Sequence, residues 1–174
     1  MKYKNPIVKT IGFFLKFTQT NKTMNKIFLF ISFALISITT QAQEIKWMSF
    51  NEAVKAQKKN KKPIFIDVYT AWCGPCKILD KKTFSNPETA KFINDNYNAV
   101  KFDAEGNEEI VFNKMTYKNP CYKPERKNSR NAMHEFTGFL KIQGYPSMVV
   151  INNKGQIQKT IVGFKTSEEL KKEL

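Results

Sequence analysis

Asp67-Val68-Tyr69-Thr70-Ala71-Trp72-Cys73-Gly74-Pro75-Cys76-Lys77 is the stretch on which the reading of this chain turns. It completes the run Ile64 to Tyr69, which is apolar and β-branched except for one acid, Asp67, the pattern of a central strand buried on both faces. Two cysteines follow at once, separated by Gly74-Pro75, in a turn expected to open a helix through about Phe84. A bare C-x-x-C serves metals as well as thiol chemistry. Here it sits at a strand-to-helix junction, with Trp72 before it and an acid six residues upstream.

Upstream, Glu44 to Trp47 reads as a possible first strand. Ser49-Phe50-Asn51-Glu52 has the pattern of a capping box and starts a short helix that ends in Lys58-Lys59-Asn60-Lys61-Lys62. Downstream, Asn86 caps a helix with Pro87 at its first position, and Ala99 to Asp103 is the next strand. Residues 104–142 are the least legible. A helix is expected over Glu108 to Met115, polar loop over 116–131, and a second helix over Ala132 to Ile142 with Gly138 as its weak point. Ser147 to Ile151 and Ile157 to Val162 are strands joined by Asn152-Asn153-Lys154-Gly155, whose Asn and Gly suit a tight hairpin. A last capped helix begins near Ser167. The order of elements is that of an α/β protein.

The front of the 174-residue chain is different in kind. Residues 1–42 hold six lysines and no acid. From Met24 the text reads as a secretory signal: a basic start, the twelve-residue apolar run Ile27 to Ile38, and a small-residue site ending at Ala42. Twelve residues rise only about 18 Å as a helix against a hydrocarbon core of ~30 Å. Cleavage after Ala42 is therefore expected, with an uncleaved membrane anchor as the alternative. Residues 1–23 fit no such signal and read as an N-terminal extension ahead of a true start at Met24. That leaves 43–174 as the mature domain, long enough for one well-buried core.

This mature part carries 23 of the 29 basic residues and all 15 acidic ones, a formal charge of +8. The lysines are scattered, and the dense run at 58–62 complements a helix C-terminus, so no nucleic-acid partner is expected. One close cysteine pair and one orphan, Cys121, argue against a disulfide-framework mini-protein.

Taken together, the strand with Asp67, the Trp72-Cys73-Gly74-Pro75-Cys76 turn and the Tyr145-Pro146 step before a late strand resemble the thioredoxin family. Lys82-Thr83-Phe84-Ser85-Asn86-Pro87, together with Trp47, Ala53, Ala56 and Lys62-Pro63, is similar to the thioredoxin-like end domain of bacterial transmembrane disulfide reductases. The resemblance implies a thioredoxin-like fold: a central mixed sheet flanked by helices, with an insert at about 104–142 before the cis-Pro strand. It makes Cys73 the exposed attacking thiol at a helix N-terminus, where dipole and free amides pull its pKa below the ordinary ~8.5. Cys76 is the inward-facing resolving thiol. Asp67 becomes the proton acceptor for Cys76, its own pKa raised by burial, with Lys101 beside it. Trp72, Gly74, Pro75, Tyr145, Pro146 and Gly163 are implied as the substrate groove.

No cofactor beyond the cysteine pair is expected, and no metal. The partners implied are client protein disulfides and a membrane electron donor, acting on a monomer in the periplasm. Gly-Pro between the cysteines resembles the reducing members of the family. A disulfide oxidase or isomerase, or a metal carrier using the same cysteines, are the alternatives. His134 is expected on a helix surface and Cys121 outside the redox work.

Overall fold

A computed structural model describes residues 43–174; the expected extension (1–23) and signal peptide (24–42) lie outside the described residues. The elements run α1 (Phe50–Asn60), β1 (Ile64–Tyr69), α2 (Gly74–Leu79), a π-helical turn (Asp80–Phe84) and α3 (Pro87–Asn96). Then come β2 (Asn98–Asp103), β3 (Ile110–Phe112), β4 (Met115–Tyr117), α4 (Glu135–Phe139), β5 (Ser147–Ile151), β6 (Ile157–Val162) and α5 (Ser167–Glu173). Glu44 to Trp47 is not a strand. The residue after it, Met48, makes a single isolated parallel bridge to Val100.

The main sheet has the order β2-β1-β5-β6, with β1 and β2 parallel and the other pairs antiparallel. This mixed four-stranded sheet with helices against it is the thioredoxin-like arrangement. The alternation of β1 divides the core in two. Ile64, Ile66 and Val68 point to one face, where they pack with Val100, Phe102 and Val149 against Phe50, Ala53 and Phe136. Phe65 points to the other, with Met148 and Val150, against Leu79, Phe84, Ala90 and Ile93. A strand buried on both faces needs an unbroken apolar run, which Asp67 interrupts on the second face.

Local chemistry sets the helix ends. Ser49 and Glu52 complete the capping box of α1, and Lys61, at φ 60°, closes it in the left-handed region. Asn86 accepts from the Glu88 and Thr89 amides at the start of α3. The helix opened by the cysteine turn reaches Phe84, as read from the sequence, but loosens into wider hydrogen bonding from Asp80.

The insert departs from expectation. Glu108 to Met115 is not a helix; β3 and β4 form a hairpin with Asn113 and Lys114 at its turn, at φ 50° and 64°. Both central residues are left-handed, the geometry of a type I′ turn. Ile110 and Phe112 face inward while Val111 faces out, and the Asn51 side chain bonds the backbone of Glu109 and Val111. The expected helix over Ala132 to Ile142 shrinks to α4, because residues 132–134 are extended and Lys141 turns left-handed at φ 55°. Far from being an appendage, the insert supplies Ile110, Phe112, Tyr117, Phe136 and Leu140 to the first core.

His134 is fully buried, not on a helix surface. Its Nδ1 accepts from the Phe136 N–H at 3.0 Å, capping α4, and its Nε2 donates to the Glu108 carbonyl at 2.7 Å. The ring stands edge-on to Phe102. Both nitrogens are engaged by backbone, which leaves no lone pair for a metal. Replacing His134 by alanine orphans a buried amide and a carbonyl. His134→Ala should therefore cost about 2–4 kcal/mol of unfolding free energy, measured by urea denaturation; a cost below about 1 kcal/mol would contradict this placement.

Candidate active site

β1 ends at Tyr69, and the chain turns through Thr70 to Trp72 into α2, with Cys73 at its N-cap. The Cys73 amide donates back to the Thr70 carbonyl at 3.1 Å. Pro75 stands in the first turn, where a missing N–H is no loss. Cys73 and Cys76 are joined by a disulfide, and the Cys76 N–H also donates to Cys73 Sγ at 3.1 Å. Both links draw the Cys73 sulfur over the first turn of the helix. Cys73 and Cys76 are accordingly 2% and 3% exposed, so the accessibility expected of Cys73 is not found in the oxidised chain.

Asp67, on the strand that leads into the turn, is 1% exposed. Cys76 and Leu79 lie three apart on one face of α2, and Leu79 packs in the cluster of Phe65, whose strand face Asp67 shares. Cys76 and Leu79 are the two buried residues of α2. In the parallel register Lys101 is the neighbour of Asp67. Its ammonium lies 3.1 Å from Asp67 Oδ2 and also bonds Asp80, from the turn that follows α2.

Trp47, Tyr69 and Phe84 present their rings to the same ammonium at 5.2, 5.2 and 5.8 Å, a cation–π cage closed by two carboxylates. Asp67 Oδ1 has no hydrogen-bond partner among the described residues. Burial pushes the Asp67 pKa from the ordinary 3.8 up to about 6, against the pull of Lys101. For Lys101 burial acts downward, but the two carboxylates outweigh it and the net shift is upward.

The rim is built from three segments. Tyr145-Pro146 is a cis peptide, and the Gly163 N–H donates to the Pro146 carbonyl at 2.8 Å. Gly163 has φ 87°, a conformation that favours glycine, and exposed Val162 and Phe164 flank it. Trp72 meets Tyr145 edge to face at 6.0 Å, donates from Nε1 to Glu105 Oε2 at 2.9 Å, and carries the Arg130 guanidinium over its ring at 4.5 Å. Gly74 is exposed at the head of α2, with open space around it.

The fold thus brings Cys73, Cys76, Asp67 and Lys101 to one end of β1, and ties Trp72 to Tyr145 and Pro146 to Gly163. Cys121 is free and exposed. Sequence reasoning missed Asp80, Glu105 and Arg130. Asp80 lies one turn beyond Cys76 and was within reach of a helical reading; no local signal marked the other two.

The family model for a thioredoxin-like domain matches residues 50–174. The chain belongs to the thioredoxin-like family. Among relatives, it is 27% identical over 146 residues to the thiol:disulfide interchange protein DsbD of Campylobacter jejuni, covering 83% of this chain and 21% of that protein. It is 39% identical over 67 residues to an uncharacterized protein of Caenorhabditis elegans, covering 38% of this chain and 9% of that protein. This thioredoxin-like chain therefore spans about a fifth or less of these relatives.

Among solved structures, a candidate disulphide-isomerase of Bacteroides thetaiotaomicron is 29% identical with a TM-score of 0.53, covering 76% of this chain and 93% of that one. A Thermus thermophilus thioredoxin is 14% identical with a TM-score of 0.54, covering 75% and 84%, and shows the shared fold. The family works through its cysteine pair and needs no added cofactor.

The raised pKa of Asp67 has a stability consequence with a definite sign. Below pH 3.8 the carboxyl is protonated in both the folded and the unfolded chain. Between there and about 6 the unfolded chain ionises first, so wild-type stability falls as pH rises, by on the order of 3 kcal/mol. Asp67→Asn removes this titration. Its stability relative to the oxidised wild type should rise by that order between pH 4 and pH 7.5 in urea denaturation, whereas parallel pH profiles would rule the assignment out.

Proposed function

We propose that the protein is an exported thiol–disulfide oxidoreductase that works in the periplasm as a reductase or electron carrier. The observation that carries this reading is the Cys73–Cys76 disulfide at the head of α2, with a buried carboxylate that has one unpartnered oxygen on the strand leading into it. In the reduced chain, the Cys73 thiolate faces the positive end of the helix, which favours the anion. It attacks one sulfur of a client disulfide, forming a mixed disulfide and releasing the other client sulfur as a thiolate. Asp67 takes the proton from Cys76, whose thiolate then attacks Cys73 Sγ. The chain keeps the Cys73–Cys76 disulfide, and the client leaves with two thiols, one proton coming from Cys76 and the other from solvent. Two electrons pass to the client in all.

Lys101 holds Asp67 in place, while Trp72, Gly74, Pro75, Tyr145, Pro146 and Gly163 form the groove that receives an extended client segment. The likeness to DsbD proteins supports interchange chemistry, and the signal-like text of 24–42 supports export. Gly-Pro between the cysteines supports reduction. Thioredoxin couples lie near about −270 mV, some 150 mV below a strong periplasmic oxidant at about −120 mV, a gap of about 7 kcal/mol for two electrons. A reductant in that compartment stays oxidised unless something re-reduces it, so the reading includes a membrane donor that delivers electrons. The B. thetaiotaomicron likeness favours a second reading, disulfide isomerisation.

Direction is decided by the reduction potential of the Cys73/Cys76 couple against glutathione or dithiothreitol buffers. A value near about −270 mV is expected; one above about −180 mV would install the isomerase reading instead. Cys73→Ala should abolish insulin-disulfide reduction, and Cys76→Ala should accumulate client proteins as mixed disulfides on non-reducing gels. Activity surviving in Cys73→Ala would end the mechanism.

A further inference from the structure

The insert reaches the redox centre through Trp72, the residue before Cys73. Glu105 Oε2 accepts from Trp72 Nε1 and also from the Asn131 N–H at 2.7 Å, so one carboxylate oxygen fixes the indole and the insert together. The Asn131 side chain in turn exchanges two hydrogen bonds with the Lys123 backbone, at 2.9 and 2.8 Å, closing residues 123–131 into a ring. Inside it Pro124–Arg126 makes a 3₁₀ turn, and Ser129 N–H bonds back to the Arg126 carbonyl. The loop is held by its own backbone, and its side chains are free to face outward.

Those side chains are basic. Lys123, Arg126, Lys127 and Arg130 are all exposed, against one exposed acid in the ring, Glu125. None of the four cations has an ion-pair partner among the described residues. Arg130 lies over the Trp72 ring at 4.5 Å, and its N–H fork has no hydrogen-bond partner among the described residues. An unpaired guanidinium resting on the ring of Trp72, the residue before the attacking cysteine, matches a carboxylate, which it can bind through two parallel hydrogen bonds.

We propose that this basic rim, centred on Arg130, is the specificity determinant of the exchange reaction, selecting client segments that carry Asp or Glu beside their disulfide. The inference rests on the oxidoreductase reading above. Electrostatic steering between rim and client raises the encounter rate, and Arg130 sets the register of the bound segment. Val162 and Phe164, which flank Gly163, are apolar and exposed, so the charge preference comes from the insert.

The test uses the reduced protein and three disulfide substrates: neutral hydroxyethyl disulfide, and two synthetic cystine peptides identical except for flanking Glu or Lys. Rates are followed by stopped-flow fluorescence at 20 and 300 mM salt, and each peptide rate is divided by the hydroxyethyl disulfide rate. At low salt the Glu peptide should lead the Lys peptide by about tenfold or more, and the lead should shrink at high salt. Arg130→Ala should cut the lead severalfold, with Arg130→Lys intermediate, and Lys123→Gln/Arg126→Gln/Lys127→Gln should cut it without touching Trp72.

A charge-matched control separates local from global charge. Lys58, Lys61 and Lys154 line a cleft at the opposite end of the sheet, and their triple replacement by Gln should change the lead less than twofold. Equal peptide rates in the wild type, an unchanged lead in Arg130→Ala, or an equal fall in the control triple would each overturn the proposal. Failure of the wild type to react with all three disulfides would overturn the oxidoreductase reading and this inference with it.

Discussion

The contact between Asp67 and Lys101 is the constraint around which the rest is arranged. A central strand buried on both faces leaves a carboxylate nowhere to hydrate, and burying an unpaired charge there is expensive. The parallel register of β1 and β2 sets Lys101 alongside it, and the lysine is itself held by Asp80 and three aromatic rings. Trp47 precedes α1, Tyr69 ends β1, and Phe84 and Asp80 come from the turn after α2. The polar exception in the core thus gathers three separate segments around the ammonium carried by a fourth, β2. Satisfaction is incomplete, since one oxygen of Asp67 stays unpaired. The cost is retained on the strand that leads into the cysteine turn.

Two layers of organisation meet at the head of the cysteine helix. From below, the second core anchors that helix through Leu79, which packs in the cluster of Phe65. From the side, the insert reaches Trp72 through Glu105 and Arg130. The insert's own rigidity comes from the first core, where Phe136 packs with Phe50, Phe112 and Tyr117. Both faces of the sheet therefore bear on one turn of the chain, and a change in either core is transmitted to it.

How far this was legible in the text depended on range. The β1 run, the Ser49 and Asn86 caps and the β5–β6 hairpin follow from patterns of a few residues, and the structure has them where those patterns put them. The β3–β4 hairpin was misread because its left-handed turn uses Lys114 in place of the expected glycine, and its strands are three residues each. His134 was misplaced because a lone histidine in a polar stretch carries no mark of burial; only the Glu108 carbonyl, 26 residues away, explains it. Glu105 and Arg130 acquire meaning through a loop closed over sequence-distant partners, which no local period encodes.

Trp72 is held on three fronts, by an aromatic edge, a carboxylate and a guanidinium. A large side chain that must be frozen when a partner arrives typically subtracts about 0.5–1.5 kcal/mol from association. Here the rotamer is chosen when the chain folds, so that entropy is absorbed into the stability of the free protein. An arriving segment meets a wall already set, and it is the visitor that must adapt its shape.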